Sequence, residues 1–96
     1  MMVVVCYDVD TKDRGGAKRL RHVAKACLDY GQRVQFSVFE CLVEPHQWVE
    51  LRDRLRKECD LQKDCMRFYF LGKNWEKRVE HLGTKVPVDP EGTLIV

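Results

Sequence analysis

The acids near the amino terminus are the first side chains in this sequence with a setting for chemistry. Asp8 follows the apolar run Val3-Val4-Val5-Cys6-Tyr7, which puts a lone carboxylate at the carboxyl end of a predicted strand. An oxygen donor there suits a hard cation, Mg²⁺ or Mn²⁺, of the kind that neutralises charge and activates water in phosphodiester cleavage. One carboxylate per chain makes a sparse site, whereas two copies about a twofold axis would supply two. The competing reading is a turn cap in which Asp8 accepts from Thr11 or a backbone N–H. Asp10 and Asp13 read as turn and helix-cap residues rather than ligands, and no side chain has the setting of a dedicated general base.

A second group is cationic. Between Lys12 and Arg33 lie Lys12, Arg14, Lys18, Arg19, Arg21, Lys25 and Arg33, against Asp13 and Asp29. On a helical wheel Lys18, Arg21, His22 and Lys25 fall on one side and Leu20, Val23 and Cys27 opposite, with Arg19 on a flank. A charge run is most often a solvated face. The helix ridge from Lys18 has no interleaved acid before Asp29, and two copies would double it. Arg14, Lys18, Arg19, Arg21, Lys25 and Arg33 are therefore candidate phosphate contacts, giving sequence-independent and salt-sensitive binding. His22 reads as an outer surface residue, and Phe39 as either core or a base-stacking platform.

The elements that must position these residues fit one domain. The chain has 96 residues, 45% hydrophobic and 33% charged, with a net charge of +2 that does not by itself announce a nucleic-acid binder. The apolar opening segment is too short for a signal-peptide core or a membrane span, so a cytoplasmic protein is expected. Five cysteines with no C-x-x-C pair argue against structural zinc and a disulfide framework, and for reduced, buried thiols.

After the first strand, Gly15-Gly16 leads into a helix with the stripe Leu20, Val23, Ala24, Cys27 and Leu28, stopped at Gly31. Arg33 to Val43 alternates with period two, and its phase slips at Val38-Phe39, which predicts a bulge or bend. Glu44-Pro45 opens a second helix with Trp48, Leu51, Leu55 and Cys59 inside. Cys65 to Leu71 is the third predicted strand and Arg78 to Leu82 a short fourth, in an α+β, ferredoxin-like βαββαβ domain over residues 1–82. Residues 83–96 read as an extension ending in an extra carboxyl-terminal strand, Leu94 to Val96.

Two helices cover one face of a four-stranded sheet, yet the first strand is apolar at consecutive positions. Tyr69 and Leu71 likewise oppose Met66, Phe68 and Phe70 in the third. A bare second face would expose more apolar surface than soluble monomers usually carry, so a sheet-to-sheet homodimer is expected.

Tyr7-Asp8-Val9, Arg19-Leu20-Arg21 and the string Arg33-Val34-Gln35-Phe36-Ser37-Val38-Phe39-Glu40, taken together, resemble the CRISPR-associated Cas-two family over nearly the whole chain. Gly15-Gly16 and the start of the first helix are similar to bacterial members found beside type I systems. The resemblance implies a homodimer whose two Asp8 side chains face each other and share Mg²⁺ or Mn²⁺. It further implies an endonuclease acting on RNA or DNA, and a role with the CRISPR integrase in acquiring spacers, in which this subunit binds duplex DNA. The alternative class is a ferredoxin-like regulatory dimer that binds a small ligand and has no nuclease activity.

Overall fold

The computed structural model describes residues 1–10 and 12–83. In chain order these form β1 (Met2–Asp8), α1 (Gly16–Leu28), β2 (Gly31–Gln35), β3 (Val38–Leu42), α2 (Pro45–Glu58), β4 (Cys65–Gly72) and the single turn α3 (Trp75–Arg78). The strands make one antiparallel sheet in the order β2-β3-β1-β4. With α1 and α2 both packed into the core on one side, this is the expected ferredoxin-like α+β fold. No helix among the described residues is long and apolar enough to cross a membrane.

The strands arise differently from expectation in two places. Arg33 to Val43 is not one bent strand but a hairpin, β2 and β3 joined through Phe36 and Ser37, with a register shift between Arg33 and Gln35. Arg78 to Leu82 is not a strand. Trp75–Arg78 is a helical turn, and residues 79–82 have no regular structure. The hairpin thus supplies the fourth strand and, in place of the strand-helix-strand-helix-strand-strand succession of the elements read from sequence, gives the βαββαβ order; the period-two slip at Val38 marks a chain reversal. The expected terminal strand and the extension beyond residue 83 lie outside the described residues.

Alternation sorts β1 between the two faces of the sheet. Val3, Val5 and Tyr7 are buried beneath the helices with Phe39 and Cys41 of β3, while Val4 and Cys6 are half-buried on the far side. From α1 come Leu20, Val23, Ala24 and Cys27, and from α2 Leu51 and Leu55. Trp48 closes the α2 end, edge-on to Phe68 at 4.9 Å and to Phe70 at 5.5 Å. Leu28, counted in the α1 stripe from sequence, is instead 51% exposed.

Local sequence sets these boundaries. Pro45 begins α2, and Gln47 Oε1 accepts the Glu44 N–H at 2.8 Å, so an otherwise unpaired donor is satisfied. Gly31 does more than end α1, because β2 starts there hard against β3. A Cβ at this position would lie 1.9 Å from the Glu40 carbonyl oxygen and 2.7 Å from Cys41 Cα, so no other residue fits without moving the strand.

Candidate functional site

Asp8 is the last residue of β1 and pairs with Cys65, the first residue of β4. Directly paired residues share a face, so Asp8 lies with Cys65, Cys6 and Arg67 on the side of the sheet that the helices leave uncovered. Val4, Val38, Glu40 and Tyr69 continue that face away from it. Asp8 is exposed, and among the described residues no hydrogen bond or ion pair engages its carboxylate. The turn-cap work falls to its neighbours instead. Asp10 Oδ1 accepts from Lys12 N–H at 3.1 Å and Asp13 Oδ2 from Gly15 N–H at 3.3 Å, the roles expected of both.

The backbone around Asp8 is held by a residue that sequence reasoning passed over. Asp64, in the α2–β4 loop, has a side chain only 1% exposed. Arg19 grips it with two bonds, Nε to Oδ2 at 2.8 Å and Nη2 to Oδ1 at 3.0 Å. The Tyr7 hydroxyl donates to the same Oδ2, and the amides of Asp10 and Asp60 donate at 3.0 and 3.1 Å. Because Asp64 precedes Cys65 and also binds Asp10, it pins the chain on both sides of the Asp8–Cys65 pair.

Burial alone would raise the Asp64 carboxyl. The hydrogen bonds from Arg19, Tyr7 and the two amides outweigh it and hold the group well below the usual carboxylate range. Burial, followed by Asp64, pushes the Tyr7 hydroxyl above its ordinary value. Arg19 Nη1 reaches on to Asp13 at 2.6 Å, and Lys63 Nζ meets the other oxygen of Asp13 at 2.9 Å. Lys63 and then Arg19 lower the Asp13 carboxyl to about 2.

The predicted phosphate contacts divide accordingly. Arg19 is spent on Asp64 and Asp13 and stands apart from the others. Arg14, Lys18, Arg21 and Lys25 are exposed and recur at helical spacing along the outside of α1 and the loop before it, and Arg33 is exposed on β2. None of these five has an acidic partner within ion-pair distance among the described residues. His22 is not part of the outer ridge, since Nδ1 lies 3.0 Å from Glu58 Oε2 on α2. Phe39 is core, fully buried, and the exposed aromatic of that segment is Phe36.

Of the five free thiols, Cys27 and Cys41 are buried as expected, and Cys41 Sγ donates to the Cys27 carbonyl at 3.7 Å. Cys65 is exposed beside Asp8. Among the described residues, no group of three or more His, Cys, Asp or Glu side chains converges to hold a metal ion. One chain therefore brings a single oxygen-donor side chain at Asp8, flanked by a soft sulfur that a hard cation does not favour. The donor chemistry fits Mg²⁺ or Mn²⁺ only where a second Asp8 joins it.

Residues 1–79 match the family model described as CRISPR associated protein Cas2. The chain belongs to the Cas2 family. It is 60% identical over 96 residues to the "CRISPR-associated endoribonuclease Cas2" of Chlorobaculum tepidum, covering all of both proteins. It is 59% identical to the protein of the same name from Nitratidesulfovibrio vulgaris, covering all of this chain and 94% of that one. The crystal structure of Streptococcus pyogenes Cas2 at pH 6.5 superposes with a TM-score of 0.80 at 60% identity, covering 86% of this chain and all of that one. The match to a Cas2 crystal structure places the ferredoxin-like fold within the family on more than the Tyr7-Asp8 motif.

Proposed function

We propose that this chain is a CRISPR adaptation protein that works as a homodimer, binds duplex DNA along the outside of α1, and cleaves phosphodiesters in RNA or DNA at paired Asp8 carboxylates. In this reading it acts beside the CRISPR integrase in the cytoplasm, holding the DNA from which spacers are taken. The observation that carries the proposal is Asp8, uncommitted at the edge of an uncovered sheet face on which Val4, Cys6, Val38, Leu42 and Tyr69 lie with Glu40, Cys65 and Arg67. A second copy packed on that face would bury its apolar side chains and bring two Asp8 residues together. The names of the Cas2 relatives support the nuclease, and family membership supports the role in CRISPR adaptation.

Bound by the two Asp8 carboxylates, Mg²⁺ or Mn²⁺ would supply charge neutralisation on the phosphate and a hard Lewis acid. The chain itself orients Asp8 through the Asp64 contacts, while Arg14, Lys18, Arg21, Lys25 and Arg33 draw the polyanion to the surface. No side chain among the described residues is a built general base, so the chemistry is expected to be slow.

A face-disrupting variant tests the reading. Val4 lies across from Glu40 and Tyr69 in the middle of the uncovered face, so Val4→Glu should turn a sedimenting dimer into a monomer and abolish EDTA-sensitive cleavage. A Val4→Glu monomer that cleaves like the dimeric wild type would rule out a site built from two Asp8 residues.

A further inference from the structure

An open groove of about 450 Å³ runs between α1 and the β2–β3 turn, on the side of the helix away from the Asp64 contacts. Its floor is Leu20, Ala24 and the half-exposed Leu28, and one wall is Phe36, 72% exposed. Arg21, Lys25 and Arg33 line the rest. Asp29 also borders the groove, but its carboxylate is taken by Arg54 at 2.6 Å, so the three cations dominate the local field. The Arg33 guanidinium carbon lies 5.7 Å from the Phe36 ring centroid and 5.2 Å from that of Phe39. It thus braces Phe36 from one side.

A large aromatic ring held open to water next to three cations without an acidic partner among the described residues matches a ligand with a flat π face and negative charge on either side. A nucleotide has both. Inside a duplex the base faces are already stacked on one another, so along continuous duplex only an unpaired base can offer a face to Phe36. The groove volume also falls in the range that small ligands occupy. Resting on the reading of α1 as a nucleic-acid surface, we propose that this groove takes an unpaired nucleotide. Phe36 stacks on its base, and Arg21, Lys25 and Arg33 meet the adjoining phosphates. The protein then distinguishes a frayed or single-stranded end from continuous duplex without reading sequence, because every base has a face to stack.

The test compares a blunt DNA duplex with the same duplex carrying a short overhang that contains 2-aminopurine, titrated at fixed salt into the full-length chain. Wild type should bind the overhang duplex about tenfold more tightly and change the 2-aminopurine fluorescence on binding. Phe36→Ala should erase that preference and the fluorescence change while leaving blunt-duplex affinity within about twofold, and Phe36→Trp should restore both. Equal wild-type affinity for the two duplexes, or a preference that survives Phe36→Ala, would overturn the proposal. So would competition by an acidic, aromatic peptide in place of the overhang, which would make the groove a protein-docking site. Arg14→Glu combined with Lys18→Glu, both outside the groove, tests the underlying reading separately. Unchanged blunt-duplex binding in that variant would remove the α1 ridge, while the overhang preference in the same titration still decides the role of Phe36.

Discussion

Two carboxylates lie at the same end of the sheet and have opposite surroundings. Asp64 is buried and saturated, with Arg19, Tyr7 and two backbone amides all donating to it. Asp8 is exposed, one strand pair away, and no side chain among the described residues donates to it. The fold has used the acid that chemistry would find hardest to reach and left open the one that a cation can approach. A group whose lone pairs are all taken is structural, because any new ligand must displace several bonds at once. A group fixed in place by its neighbours but not bonded by them is available for a ligand.

Changing each acid should break the molecule in a different way, and Asp64→Ala should do most damage. It strands the Arg19 guanidinium, 15% exposed, together with the Tyr7 hydroxyl and the Asp10 and Asp60 amides. A loss of about 3 kcal/mol in urea unfolding is expected, near the low end for breaking a buried pair because Arg19 keeps some contact with water. Asp64→Asn should cost less, since the amide keeps the shape and one acceptor oxygen.

Acid titration should produce the next largest change. A carboxyl held low in the folded chain contributes fully above its unfolded value, near 4, and that contribution is lost as pH falls through the folded value, about 2 for Asp13. Asp64 is also held low, so stability should decline steadily between about pH 4 and pH 2. Melting curves of Asp64→Ala over the same range should fall less steeply. An equally steep fall would place the acid sensitivity elsewhere.

Stability should respond least to the outer ridge. Lys18→Glu, Arg21→Glu and Lys25→Glu together change exposed side chains and should shift unfolding by about 0.5 kcal/mol or less per site. Duplex binding should nevertheless collapse, and the wild-type affinity should fall by about 0.9 log unit per log unit of salt for each phosphate neutralised. A triple variant that binds duplex as tightly as wild type would move the DNA to another surface.

Much of this architecture could be read from local pattern. The β-branched run ending at Asp8, the Leu20–Cys27 stripe and the Glu44-Pro45 helix start each carry their signal within a few residues. The hairpin at Phe36-Ser37 was hidden because its turn has no glycine, proline or asparagine, and no residue there has positive φ. Without turn chemistry, a reversal and a bulge leave the same slip in alternation. Asp64 was hidden for another reason. It meets Arg19 across 45 positions, and no periodicity reports a pairing of that kind. The wheel did leave a trace of it by setting Arg19 on the flank of α1, apart from Lys18, Arg21 and Lys25. It misplaced His22, because where α2 packs cannot be read from α1 alone.

The claim that these two acids divide structure from chemistry rests most directly on Asp8→Asn, which keeps the side-chain shape and removes its charge. Thermal melting, and Mg²⁺- or Mn²⁺-dependent cleavage of RNA and duplex DNA, would be measured on the same preparations of wild-type and variant protein. The account predicts a melting temperature within about 1 °C of wild type, since among the described residues the carboxylate makes no bond that the fold would lose. Cleavage should fall by orders of magnitude while dimerisation and duplex binding persist. Undiminished cleavage in Asp8→Asn, or destabilisation on the scale of Asp64→Ala, would contradict it.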